Sequence, residues 1–383
     1  MVRKYRRPIL ALAGALAALL AAPVAAQPTA EPLFRYKVRP GDTLSAMARD
    51  YFVSNDYRTV QTMNRVADPR RLPIGSYLMI PSRLLRVEPV GARITSYRGG
   101  VSVDGRPVTL AQMVREGMRV ETGANANVTV TLDDGSAISL PSQSRIRIAR
   151  LRRVLLTGSV DRNFVMEAGR SRSSVTPFKD PESNFRVTTP LSVSAVRGTD
   201  FRVAVDETGQ TALTEVVGGT VGVAKDEEAD ETGVTRGFGV TATPAGVQKP
   251  VPLLPPPMLK SMARTPTGVA ITGEPVEGAV RYRIQLATDA AFRDVFDEVV
   301  SDKPAAGFTL SDGATFFVRL TAIAASGMEG LPGTYAPGQR ATPNPVAPQP
   351  SADAGTGADP SRLSLSDHGR NTQPYINSPP PLR

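Results

Sequence analysis

The chain of 383 residues contains no cysteine and no tryptophan, and its one histidine is His368. Without cysteine there are no disulfides, no thiol nucleophile, no thiolate metal site and no lipid anchor on a terminal cysteine. A single histidine leaves no material for a Ser-His-Asp triad or a histidine-rich metal centre. Long apolar runs are also scarce. The clearest one, residues 9–22, spans about fourteen residues, short of the ~20 that a membrane-spanning helix needs. It follows Arg3, Lys4, Arg6 and Arg7 and precedes Val24-Ala25-Ala26. A basic start, an apolar middle and small residues before a cleavage point read as a secretory leader, residues 1–26. A retained anchor is the other reading of the same run. The expected product is exported, periplasmic or wall-associated, with no membrane span once the leader is cleaved.

Charge is plentiful but uneven. The formal net charge is +9, of which the leader accounts for +4. Residues 33–86 hold ten basic and four acidic residues, a net of +6, which exceeds the remaining +5 of the whole mature chain. Basic excess suggests a polyanionic partner. No aromatic-studded basic repeat, zinc spacing or DNA-reading motif accompanies it, so nucleic acid is not expected. A polyanionic cell envelope accounts for the charge as well.

The densest information lies in the same stretch. An alternating segment, residues 34–38, runs into Pro40-Gly41, and Asp42 or Thr43 is placed to cap a helix. Leu44, Met47, Ala48 and Tyr51 follow at helical spacing. A second short helix is expected over residues 57–64, with Tyr57, Val60 and Met63 inward. Leu72-Pro73-Ile74-Gly75 reads as a turn and residues 76–81 as a closing strand. These residues resemble the LysM family in Tyr36-Lys37-Val38, Pro40-Gly41-Asp42-Thr43-Leu44, Asn64 and the run from Pro73 to Pro81. That resemblance implies a βααβ module, residues 33–86, binding N-acetylglucosamine-containing glycan, peptidoglycan or chitin, between two loops. The implied contact residues are Gly41, Asp42, Thr43 and Leu44 in one loop and Leu72, Pro73, Ile74 and Gly75 in the other. Each also has a plain structural reading: glycine for a turn, Asp and Thr for capping, Leu and Ile for packing. The inter-helix segment from Phe52 to Asp56 is longer than in the usual pattern.

Residues 90–250 change character. Short period-two segments such as Val128-Thr-Val130-Thr-Leu132 and Phe201-Arg-Val203-Ala-Val205 alternate with glycine turns, which points to an all-β domain. Asp133-Asp134-Gly135-Ser136 is a hairpin turn. Phe185-Arg186-Val187, Thr189-Pro190, and Arg197-Gly198-Thr199-Asp200-Phe201 resemble the FecR family, as do Asp134-Gly135-Ser136 and Gly218-Gly219-Thr220-Val221. FecR domains occur in transmembrane regulators that work with sigma factors and also in other exported proteins; the regulators' cytoplasmic segment is not recognisable here. Arg197 and Asp200 are readable as a ligand site or, preferably, a structural brace. Arg145, Arg147, Arg150, Arg152 and Arg153 read as a solvated basic face, with anionic polymer as a second possibility. The acidic run 226–231 reads as a self-repelling exposed loop.

Residues 251–257 are proline-rich and read as a stiff linker. Residues 258–343 carry further alternating strands and resemble, more weakly, fibronectin type III-like sandwiches, in Tyr282-Arg-Ile284-Gln-Leu286 and Phe317-Val-Arg319; four or five of the roughly seven strands are placeable. Residues 344–383, rich in Pro, Ser, Gly and Ala, are expected to be disordered. The fold class is therefore multidomain and mainly β. The expected role is a non-catalytic envelope protein with no cofactor and no metal. It would hold peptidoglycan through the LysM-like module and offer its β-domains to another envelope protein. Two rivals stand: a FecR-type envelope sensor acting on transcription through a partner, and a peptidoglycan hydrolase. The latter needs two facing carboxylates; the adjacent pair Asp133-Asp134 reads better as a turn.

Overall fold

The computed structural model describes residues 32–337, apart from residues 179, 181, 228 and 312. The leader, the 344–383 tail and His368 lie outside the described residues. The chain divides into two compact units, one up to Leu84 and one from Leu85 onward. Among the described residues no helix is long and apolar enough to cross a membrane.

The first unit is strand, helix, helix, strand. Leu33–Lys37 pairs antiparallel with Tyr77–Pro81, and the helices Leu44–Tyr51 and Arg58–Met63 lie between them in sequence. The first helix buries Leu44, Met47 and Ala48, the face its spacing predicts, and leaves Tyr51 half-buried. Two expectations shift. Met63 is 45% exposed, because the second helix ends there and turns only Val60 fully inward. Phe52, read as part of a loop, is fully buried and ends the first helix by donating its N–H to the Ala48 carbonyl. Asn64 joins the second helix to the closing strand: its amide donates to the carbonyls of Val60 and Met79 and accepts from the Met79 N–H, all within 2.8 Å.

The second unit begins with a barrel whose strand pairings close on themselves. Its organising element is the fifteen-residue strand Val160–Ser174. The first part pairs with Arg145–Val154 and, in parallel, with Asn184–Thr188; the last part pairs with Asp200–Val205 and Ala137–Leu140. The handover falls at Gly169, whose φ is +75° and where a Cβ would lie 2.3 Å from the Gln143 carbonyl oxygen. Only glycine satisfies both the torsion and the space. Val, Ile and Leu side chains fill the interior, with Phe164, Phe185 and Phe201 stacked through centroid distances of 5.2 and 6.4 Å. The turn at Asp133-Asp134-Gly135-Ser136 joins Asn127–Leu132 to Ala137–Leu140 as expected, with Gly135 at φ +82° and the Asp134 carboxylate accepting from Ser136 N–H.

Two charged stretches are less free than their sequence suggests. Four of the five arginines of the basic run have acids beside them, on other strands or in loops, while Arg153 donates to the Gly158 carbonyl. Arg145 faces Glu121, Arg147 faces Glu167, Arg150 faces Asp161 and Glu227, and Arg152 faces Glu116. The acidic run is held at Glu227 by Arg150 and at Glu231 by partial burial near Arg186 and Arg197; burial raises the Glu231 carboxyl pKa, with the two arginines offsetting part of the rise.

Residues 258–337 form two antiparallel sheets. One contains Leu259–Thr265, Gly268–Gly273 and Ala305–Thr309; the other contains Val295–Ser301, Ala279–Ala287, Phe317–Ala324 and Gly333–Tyr335. These seven strands are the number a sandwich of this length needs. Leu259, Ile271, Ile284, Leu286, Phe308, Phe316 and Leu320 close the space between the sheets. The proline-rich segment before it is fastened at both ends rather than spanning open solvent. Val251–Pro252 pairs with Phe238 and Gly239, Leu253 donates to the Gly237 carbonyl, and the Leu254 and Pro257 carbonyls accept from Leu331 N–H and the Tyr335 hydroxyl.

Candidate glycan-binding loops

The two loops singled out in the sequence are brought together. Val38 N–H donates to the Ser76 carbonyl and Gly75 N–H to the Val38 carbonyl, so the base of the second loop is tied to the first strand. Leu44 N–H donates to the Pro69 carbonyl, tying the first helix to the approach of the second loop. Gly41 and Gly75 lie at φ +91° and +83°, and a Cβ at either would meet open space. Their requirement is torsional; neither is a point of close packing within the module.

The eight residues divide by exposure. Gly41, Pro73, Ile74 and Gly75 are exposed, with Ile74 at 69%. Asp42 and Thr43 are half-buried, and Leu44 and Leu72 are buried. The Asp42 carboxylate accepts from the Tyr36 hydroxyl and from Arg39 N–H, each at 2.7 Å, so it closes the turn while Thr43 caps the helix by accepting from Ala46 N–H. Leu44 and Leu72 position the loops from beneath. The surface open to a ligand is the loop backbone together with the rim side chains Pro73 and Ile74. Tyr77, 42% exposed with the Arg35 guanidinium 3.7 Å above its ring, is a further solvent-facing aromatic that site reasoning omitted. Period-two alternation around buried Leu78 was the signal for it.

Two of the barrel's signature residues, Gly198 and Asp200, act as braces. Gly198, at φ +108°, packs where a Cβ would lie 2.7 Å from the Pro177 Cα. Asp200 forms a bidentate pair with Arg172 at 2.9 and 2.6 Å; burial raises its pKa, but Arg172 more than reverses this and holds it below the usual carboxylate value. Arg197 is exposed. Asp133 accepts from Gly91 N–H and Asp134 pairs with Arg162, so each has a partner of its own. Among the described residues no group of three His, Cys, Asp or Glu side chains is placed to hold a metal ion.

Residues 36–81 match the LysM domain family. Residues 118–222 match the FecR protein family, so a LysM-like module precedes a FecR-like one in the order the motifs indicate. Both are binding or regulatory families, typical of the cell envelope. No curated protein matches the chain. Two solved structures of a candidate anti-sigma factor from Parabacteroides distasonis align with 35% of the chain at 17% and 18% identity, each with a TM-score of 0.29. The aligned part spans 59% of those proteins' own length.

Proposed function

We propose that this is an exported, non-catalytic envelope protein that binds peptidoglycan through the LysM-like loops and presents its β-domains to an envelope partner. The observation that carries the reading is the pairing of the family match over residues 36–81 with two mutually tied loops whose rim is exposed. Backbone N–H and C=O groups of such loops suit the N-acetyl and hydroxyl groups of a glycan chain. The module's +6 charge draws it toward carboxylates of the wall's peptide stems.

The test is binding of the full mature chain to purified sacculi between 0.1 and 1 M salt, where the Debye length falls from ~10 to ~3 Å. Neutral N-acetylglucosamine oligomers serve as competitor. Residual binding at high salt, competition by the oligomers and loss in Ile74→Asp but not in Arg83→Ala are expected, with circular dichroism establishing that Ile74→Asp is folded. Binding that vanishes with salt and ignores the oligomers would reduce the module to an electrostatic anchor.

The FecR match over residues 118–222 favours a second reading, an envelope regulator that acts on transcription through a partner. Crosslinking in intact cells separates the two: a sigma-factor pathway component captured by the barrel supports the regulator, and wall components alone support the anchor.

A further inference from the structure

The outer face of the barrel carries a row of positions with almost no side chain. Arg186 of strand Asn184–Thr188 pairs with Ala195 of Val193–Val196, Ala195 with Gly222 of Thr220–Ala224, and Gly222 with Gly233 of Thr232–Thr235. Their chain neighbours Phe185, Val196, Val221 and Val234 belong to the barrel core, so alternation sends the row outward. Arg197 stands two residues beyond Ala195, at the same groove.

Ala195, Gly222 and Gly233 floor an open groove of about 270 Å³, with Arg186, Arg197 and Glu231 on its walls. Neighbouring strands lie ~4.8 Å apart, so the floor runs for about 10 Å, the length of about three residues of extended chain at ~3.3 Å each. The volume is many times the ~10–15 Å³ that one water requires. Neither Gly222 nor Gly233 has a positive φ, so torsion does not call for glycine at either place. A glycine inside a strand then marks a close approach by another group.

One such group is already present. The Glu231 Oε2 atom leaves no room for a Cβ on Gly222, so the Glu231 carboxylate rests on the groove floor. Arg186 and Arg197 both act on that carboxylate through space. Yet among the described residues neither guanidinium has a carboxylate within ion-pair distance. Burial raises the Glu231 carboxyl pKa and the two arginines offset only part of the rise, so the acid is held loosely where it lies. Arg197 is exposed and Arg186 half-buried, which leaves both within reach of a ligand.

We propose that this groove binds a short peptide segment by a carboxylate held between Arg186 and Arg197, with the rest of the segment lying across Ala195, Gly222 and Gly233. Glu231 takes the ligand's place in the free protein and is displaced on binding. The planar fork of a guanidinium matches two oxygens of a carboxylate. A floor without side chains lets an extended main chain lie in contact with it, which a row of larger residues would prevent. A chain end and a Glu or Asp side chain both supply the carboxylate that this arrangement selects.

The test titrates the full mature chain by calorimetry at constant ionic strength. The probes are acetyl-trialanine as the free acid, acetyl-Ala-Glu-Ala amide, acetyl-trialanine amide and sodium acetate. At least one of the two carboxylate peptides should bind saturably at one per chain, and which one binds separates a chain end from a side chain. The uncharged amide should not saturate, and acetate should bind about tenfold or more weakly than the peptide. Arg197→Ala should weaken peptide binding about tenfold or more, and Ala195→Leu, which fills the floor, should abolish it, with thermal unfolding establishing that both are folded. Glu231→Gln should bind the peptide about threefold or more tightly, because the competing carboxylate is gone. Equal binding of amide and acids, acetate as tight as peptide, no saturation by any peptide, or no gain in Glu231→Gln would overturn the proposal. If Ala195→Leu does not fold, Arg197→Ala and Glu231→Gln still decide it.

Discussion

In the LysM-like module the polar groups that matter lie at the surface, where water covers whatever the protein leaves unpaired. Gly41, Pro73, Ile74 and Gly75 are exposed, and the loops keep their shape through backbone bonds such as Gly75 N–H to the Val38 carbonyl. At the barrel–sandwich junction Glu215 and Glu329 are 0% and 3% exposed and each answers more than one guanidinium. The first arrangement leaves groups able to exchange water for a sugar at little cost. The second commits every carboxylate inward, so removing one member strands its neighbours in a low-dielectric site. The proposed glycan surface and the junction between domains thus place their polar groups under opposite solvation, exposed backbone in the first and buried ion pairs in the second.

The sharpest test of this contrast is Glu329→Ala. It removes the carboxylate shared by the guanidinia of Arg170, Arg202 and Arg283, leaving Glu215 and Glu298 to answer all three, and should cost about 3–5 kcal/mol, measured by urea unfolding of the full chain. A loss below about 1 kcal/mol would mean the junction is solvated like the loops. The same group sets an acid limit. Burial raises the Glu329 pKa, but Arg170, Arg283 and Arg202 outweigh it and hold the carboxyl well below its usual range. With the folded pKa depressed, its stabilisation is complete above the unfolded value of about 4.3 and is lost as pH falls through the folded one. Unfolding free energy should therefore decline from about pH 4 downward, and less steeply in Glu329→Gln.

Leu44→Ala should come next, at about 2–5 kcal/mol, because it opens a cavity in the small module's core. Sacculus binding and the module's protease resistance should fall while the barrel's unfolding midpoint stays put. Asn64→Ala removes two bonds to Met79 of the closing strand and one to Val60 of its own helix, and should cost about 1–3 kcal/mol, read by thermal unfolding of the module. Thr43→Ala should be the mildest, about 1 kcal/mol, as the loss of one helix cap. A cost for Thr43→Ala matching that of Leu44→Ala would blur the distinction between rim and core.

Much of the local structure was legible because it depends on neighbours in sequence. The Asp-Gly hairpin, the alternating strands and the apolar face of the first helix follow from turn torsions and from periods of two and 3.6. Both family motifs were readable for the same reason. The roles of particular site residues were less so. Asp42 and Thr43 were interchangeable as caps in sequence, and only the placement of the Tyr36 hydroxyl and Arg39 N–H assigns Asp42 to the turn and Thr43 to the helix.

Charge was the least legible property. Arg145, Arg147, Arg150 and Arg152 read as a basic surface until the barrel set acids from distant segments beside them. Arg283 and Arg319 alternate with apolar residues on sandwich strands, a pattern that says nothing of the barrel residues they meet; in the fold Arg319 is buried and Arg283 half-buried beside Arg170, Arg172 and Arg202. Residues 251–257 read as a spacer because the strand and sandwich that hold them lie elsewhere in the chain. The sequence by itself determined torsions, periodicity and the order of modules, since these are properties of contiguous residues. The tertiary structure alone decided which charges meet and which are buried, because such pairings join residues far apart in sequence, Arg170 with Glu329 and Arg202 with Glu329 among them, and no local pattern encodes them.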